Sequence, residues 1–189
     1  PATFLAVQRE VARLQRLVGD LEELSRAEAG QIALHCQPTS AAELIRAAVH
    51  RLHPQFEDKG VELSTDLPDA LPAVNVDPER IMQVLLNLLG NALQYTPPGG
   101  RVAVQAAAQR DALLVSVRDN GIGLADSDLA HVFERFYRVD KSRSRAGGGS
   151  GIGLTIARHL IEGHGGQIWA ESPGLGQGSA FYFTLPLAA

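Results

Sequence analysis

The sequence predicts an α+β protein, a layer of helices packed on strands and preceded by a long N-terminal helix. Three observations carry that prediction. Amphipathic segments with helical spacing interleave with alternating strand segments, two of the strands are joined by a short hairpin, and the first residues repeat apolar positions at steps of three and four. A length of 189 residues with 45% hydrophobic content suits one domain with an appendage. The formal charge of -4 argues against wrapping nucleic acid by general electrostatics, and no nucleic-acid partner is expected. Cys36 is the single cysteine, so no internal disulfide is possible, and no Cys/His cluster has zinc spacing, as befits a reduced compartment. No apolar run approaches the ~20 residues that span a bilayer, and the N-terminus lacks the pattern of a signal peptide, so the piece is expected to be soluble.

Taken in order, Phe4, Val7, Val11, Leu14, Val18 and Leu21 form a heptad seam that Leu17 and Leu24 widen. That pattern predicts a helix over 1–30, either packed in a bundle with another helix or lying on its own domain. Ala29-Gly30 stops it, and 31–39 reads as a linker. The compact domain, 40–189, opens with Ser40 before an amphipathic helix to about Glu57. Val61 to Leu67 alternates as a strand. Asp77-Pro78 supplies an N-cap and a first-turn proline for a helix with Ile81, Val84, Leu85, Leu88 and Leu89 inward. After the Thr96-to-Gly100 turn, Arg101 to Ala108 and Ala112 to Arg118 read as strands joined around Gln109-Arg110-Asp111. Residues 133–150 show no clear period and end in glycines, a loop before a helix from Gly151 to Glu162. Gln167 to Glu171 and Ser179 to Leu185 are the final strands.

Chemistry-bearing residues cluster on these elements. Asn87 and Asn91, four apart, leave one helix face a turn apart and offer hard, neutral oxygens suited to Mg²⁺ balanced by phosphates. Asp119 ends an apolar strand, where its carboxylate would accept from the exocyclic amine of adenine while Gly121 and Gly123 admit the ring. In isolation Asp119-Asn120-Gly121 reads more readily as a turn. Gly147 to Gly153 runs into the helix opening Leu154-Thr155, which places flexible amides and a helix N-terminus where phosphate oxygens could be held. It is neither a P-loop nor a dinucleotide fingerprint. Between the loops, Arg135, Arg138, Lys141, Arg143 and Arg145 are interspersed with Phe133, Phe136 and Tyr137, so cations can screen a triphosphate while aromatics anchor the loop.

In content and order these motifs resemble the ATP-binding catalytic domain of bacterial two-component sensor histidine kinases. Asn87-Leu88-Leu89-Gly90-Asn91-Ala92 resembles the N box, Asp119 to Gly123 the G1 box, Phe133 to Arg138 the F box, Gly149 to Leu154 the G2 box, and Gly176-Gln177-Gly178 a later glycine element. The resemblance implies the Bergerat-type (GHKL) fold, a two-layer α/β sandwich in which helices cover a mixed sheet and 133–150 forms an ATP lid. It implies ATP and Mg²⁺ as cofactors. Asn91 would ligate the metal with Asn87 assisting, Asp119 would recognise adenine, and Tyr95 would line the pocket. Arg138 would face the phosphates, joined by Lys141, while Gly149, Gly151, Gly153 and Leu154 would form the phosphate-side loop. Gln94 departs from the basic residue many members carry there, a contact that Arg138 or Lys141 would have to supply.

Residues 1–28 resemble the second helix of the family's dimerisation and phosphoacceptor hairpin. None of the six histidines has the context of a phosphoacceptor, so the chain reads as part of a longer kinase that acts on a histidine outside it. The resemblance thus implies a protein histidine kinase whose partners are the phosphoacceptor helix of the same or a sister subunit and a response regulator receiver domain. It also implies a homodimeric, membrane-anchored parent with this part in the cytoplasm. Fold relatives that hydrolyse ATP place a glutamate four residues before the metal-binding asparagine; here Asn87, which cannot take a proton, favours transfer over hydrolysis. An anti-sigma-type serine kinase, a pseudokinase and a dimerisation scaffold are the other readings.

Overall fold

The computed structural model describes residues 2–138 and 151–188. Helix α1 (Ala2–Glu28) ends at Gly30, which takes a left-handed conformation. Strand β1 (Gln37–Thr39) then lies inside the segment read as a linker and pairs antiparallel with β3 (Val74–Val76) in a two-stranded ribbon. Three residues are too few for an alternating pattern to register, so nothing local announces either strand. Helix α2 (Ala41–Lys59) starts where Ser40 accepts from the Glu43 N–H and stops at left-handed Gly60, leading to β2 (Glu62–Asp66).

Helix α3 (Pro78–Tyr95) begins as its sequence predicts, with Pro78 in the first turn and the Asp77 carboxylate accepting from the N–H groups of Glu79 and Arg80. The hairpin of β4 (Arg101–Ala108) and β5 (Ala112–Asp119) follows, then a one-turn helix α4 (Asp126–Leu129), helix α5 (Gly153–Gly163), β6 (Ile168–Glu171) and β7 (Ser179–Pro186). The main sheet has the order β2-β4-β5-β7-β6. Only β2 runs parallel to its neighbour β4, which makes the sheet mixed.

Alternation explains the layering. Val102, Val104, Leu113, Val115, Val117, Phe181 and Phe183 point from the sheet into one core, and Ile81, Val84, Leu85, Leu88, Leu89 and Ala92 of α3 meet them with Ile156 and Leu160 of α5. Helices α2, α3 and α5 form the second layer. A buried polar node locks its far end: the Asp77 N–H donates to His164 Nε2 at 3.0 Å, His164 Nδ1 bonds the Leu160 carbonyl at 2.7 Å, and the His35 N–H donates to Asp77 Oδ2 at 3.0 Å. Burial alone would raise the Asp77 carboxyl. The N–H donors of His35, Arg80 and Glu79 and the Arg80 charge outweigh it and hold the group below its ordinary value.

Helix α1 both rests on this domain and keeps an uncovered seam, because it has two faces. Leu24 is buried, Glu23 pairs with Arg80 at 2.6 Å and accepts from Gln83, and Glu28 pairs with Arg135 at 3.1 Å. Val7, Val11, Leu14, Val18 and Leu21 all stay exposed. At about 100° per residue, the mean direction of Leu17, Asp20 and Leu24 lies roughly 110° around the helix from that seam. Leu17 and Leu24 therefore do not widen the heptad stripe, as their spacing predicts; they belong to the domain-facing side.

Candidate functional site

The helix layer and the β5–β7 edge enclose a cavity of about 600 Å³, a size that accepts a small organic ligand. One end is built around Asp119, the last residue of β5. Its register partner is Ser179, the first residue of β7, and that pairing lets the Ser179 hydroxyl donate to Asp119 Oδ2 at 2.6 Å. The Gly121 N–H donates to Asp119 Oδ1 at 2.8 Å. Both carboxylate oxygens are thereby aimed before any ligand arrives.

Close backbone packing requires the glycines here. A Cβ on Gly121 would fall 2.4 Å from the Tyr95 carbonyl, and one on Gly178, at φ +78°, would fall 2.0 Å from the Asp119 carbonyl. The loop after β5 is clasped from both sides: the Ile122 N–H donates to the Tyr95 carbonyl, while the Gly176 and Gly178 N–H groups donate to Ile122 and Gly121. The late glycine element thus has a definite task, holding the turn that follows Asp119.

The opposite end is polar and largely unsatisfied. Asn87 Nδ2 donates to the Gly153 carbonyl at 3.0 Å, tying α3 to the start of α5, whose first turn has no side-chain cap. Among the described residues the Asn91 amide has no hydrogen-bond partner. Arg138 lines the cavity with its Nη2 buried and without a partner. The Phe136 N–H donates to the Gly151 carbonyl at 2.9 Å, so these two residues clamp together. Next to them the Tyr137 hydroxyl donates to Asp128 at 2.5 Å; that acceptor, with burial and the nearby Asp128 and Glu134 charges, raises the Tyr137 phenol above its ordinary value.

Residues 76–189 match the family described as histidine kinase-, DNA gyrase B-, and HSP90-like ATPases. The chain belongs to that ATPase family. Along nearly its whole length it is similar to sensor histidine kinases, in line with the five motifs. WalK of Bacillus subtilis (strain 168) is 38% identical over 188 residues, 98% of this chain and 30% of its own length. BaeS of Escherichia coli (strain K12) is 36% identical over 187 residues, 99% of this chain and 40% of its own length. Full-length ShkA, solved in complex with AMPPNP, superposes with a TM-score of 0.86 at 31% identity, covering 100% of this chain and 39% of that one. The chain thus spans well under half the length of these relatives.

Within this ATPase domain the cavity gathers Asn87, Asn91, Tyr95, Asp119, Gly123, Arg138, Gly151, Gly153 and Leu154, with Gly121 beneath Asp119. Lys141 and Gly149 lie outside the described residues. Four of the lining residues that had not been expected from sequence stand out. Ser179 holds Asp119. Leu17 and Asp20 bring α1 to the cavity wall. Lys59 donates from Nζ to the carbonyls of Leu93 and Gln94, capping a helix whose last turn has no basic residue of its own. Burial lowers the Lys59 ammonium below its ordinary value. A cation therefore stands beside Gln94, contributed by α2 rather than by α3.

Proposed function

We propose that this chain is the ATP-binding catalytic part of a sensor histidine kinase, which presents the γ-phosphate of ATP to a histidine outside the chain for relay to a response regulator. The observation that carries the reading is the cavity's polarity: an aimed carboxylate at one end and a guanidinium with a buried, unpartnered nitrogen at the other. A purine with an exocyclic amine matches the first, and an anion matches the second.

Asp119 accepts from the adenine amine, with Tyr95 and Phe181 walling the ring. Arg138 meets the phosphates, and the uncapped start of α5 at Gly153 and Leu154 turns its amides toward them. Asn91, with Asn87 assisting, would hold Mg²⁺. The fit lies in the donor set, because a pair of neutral amides suits an ion that keeps its water and phosphate ligands. When bound, the ion would neutralise phosphate charge. The side chains themselves position and screen. Asn87 offers no carboxylate to activate water, which leaves the γ-phosphate for an imidazole nucleophile supplied by the partner.

That partner is the phosphoacceptor helix of the same or a sister subunit, and the exposed seam of α1 is the surface a second amphipathic helix would cover in a homodimeric parent. No described helix is long and apolar enough to cross a membrane. The parent would place this part in the cytoplasm, where ATP is supplied, and carry any membrane anchor elsewhere.

Calorimetric titration with a non-hydrolysable ATP analogue, with and without Mg²⁺, tests the site; magnesium-assisted binding that Asp119→Asn loses is the expected result. Addition of a separate phosphoacceptor hairpin then tests the reaction. Label from γ-labelled ATP should appear on the hairpin and not on this chain, and label on this chain would overturn the assignment of roles.

A further inference from the structure

The residues that lead into Arg138 are fixed by their neighbours. Asp128 sits in the single turn of α4, where Oδ2 accepts from the Ala125 N–H at 3.3 Å and Oδ1 accepts from the Tyr137 hydroxyl at 2.5 Å. The Tyr137 ring also leans on His131, centroids 5.6 Å apart, and its N–H donates to the Glu134 carbonyl. One residue earlier, Phe136 adopts φ +61°, a left-handed conformation that bulky residues avoid, and its N–H is fixed to Gly151. That turn sends the Tyr137 side chain back to α4 while Arg138, the next residue, lines the cavity with its Nη2 buried and without a partner.

Asp128 does not itself line the cavity. Each oxygen of its carboxylate is engaged, one by Ala125 and one by Tyr137, and Tyr137 spends its one proton on Asp128. We propose that Asp128, acting through the Tyr137 hydroxyl, is a positioning residue that sets the Arg138 guanidinium against the phosphates of the bound nucleotide. The inference rests on the nucleotide reading above and deepens it: recognition of the phosphates depends on a hydrogen bond from the cavity-lining Tyr137 to an acceptor that lies outside the cavity.

Calorimetry with adenosine, ADP and a non-hydrolysable ATP analogue in Mg²⁺ tests it. Tyr137→Phe and Asp128→Ala should each weaken the ATP analogue about fivefold to tenfold, the effect of losing one strong hydrogen bond, and leave adenosine within about twofold. In an Arg138→Ala background neither change should weaken the analogue further. Asp128→Asn, whose amide oxygen can still accept from the phenol, should restore most of the affinity and guards against a misfolded alanine variant. Losses equal for adenosine and the analogue, losses that add to Arg138→Ala, or no loss at all would overturn the proposal. Failure of the unaltered chain to bind any nucleotide would sink the nucleotide reading and this inference together. An Arg138→Ala effect without a Tyr137→Phe effect would sink this inference alone.

Discussion

The two ends of the cavity differ in how much of their chemistry is finished before a ligand arrives. At the Asp119 end both carboxylate oxygens are engaged, by Gly121 and Ser179, and the following loop is clasped by Tyr95, Gly176 and Gly178. At the Arg138 end a guanidinium nitrogen is buried without a partner, the Asn91 side-chain amide makes no hydrogen bond to a described residue, and α5 starts without a side-chain cap. A buried unsatisfied donor costs about 1–3 kcal/mol, so the second end is held at the expense of stability. The difference teaches a division of labour: shape and direction are built in for the base, while charge is left open for phosphates.

The largest expected effect lies at the finished end. Asp119→Asn replaces a charged acceptor with an amide and sets an NH2 group against one of the two donors, the Gly121 N–H or the Ser179 hydroxyl. Losing a charge-assisted hydrogen bond of about 2–3 kcal/mol weakens nucleotide roughly 30- to 150-fold. The loss should be the same for adenosine as for the ATP analogue in calorimetry. A loss confined to the triphosphate would reverse the two ends and break the comparison.

Arg138→Met should have a smaller effect of the opposite kind. The ATP analogue weakens about 10- to 30-fold as one charged contact is lost, and adenosine is unchanged. Because the variant also removes a buried donor with no partner, the ligand-free protein should be more stable, by up to about 1 kcal/mol in denaturant melts. Destabilisation of the ligand-free protein would mean that the guanidinium is satisfied in solution.

How far this was legible beforehand follows from the range of the interactions. The Asp77 cap, the Asn87 and Asn91 spacing and the ordered glycine motifs are local, each settled within a few residues, and they could be read directly. The heptad seam was legible too, but Leu17 and Leu24 fit the same three-four rhythm while pointing roughly 90° away; spacing alone does not separate two adjacent stripes on one helix. Ser179 was out of reach because its partner Asp119 lies 60 residues earlier and is opposite it only by β5–β7 register. The parallel β2–β4 pair was equally hidden, since it depends on how α3, which lies between the two strands in the chain, returns it to the sheet.

A third prediction supplies a finished polar site far from ligand. Asp77→Ala removes a helix cap and leaves the N–H groups of His35, Glu79 and Arg80 without their acceptor. Stability should fall by about 1–2 kcal/mol. Nucleotide affinity, corrected for the folded fraction, should not change. The pH dependence has a definite sign. With the folded group held below its ordinary value, Asp77 contributes stability that is complete above that value and is lost as the pH falls through the folded one. In melts between about pH 5 and pH 2 the variant should therefore lose less stability than the parent. An equal loss would remove Asp77 from the account of acid unfolding.

Ser179→Ala carries the smallest expected effect and the sharpest test of the comparison. The hydroxyl and the Gly121 N–H hold separate oxygens of one carboxylate, so removing the hydroxyl leaves Oδ1 anchored and frees only Oδ2. If the built-in direction of the carboxylate is what recognises the base, freeing one oxygen should weaken adenosine and the ATP analogue alike, by about fivefold, as expected for one hydrogen bond of roughly 1 kcal/mol. Preference for adenine over guanine nucleotides should fall with it, since an Asp119 free to turn no longer selects an exocyclic donor by position. Unchanged affinity and unchanged base preference would show that the Gly121 N–H and the glycine clasp suffice to aim the carboxylate, and the finished state of that end would then reside in the loop backbone rather than in the β5–β7 register.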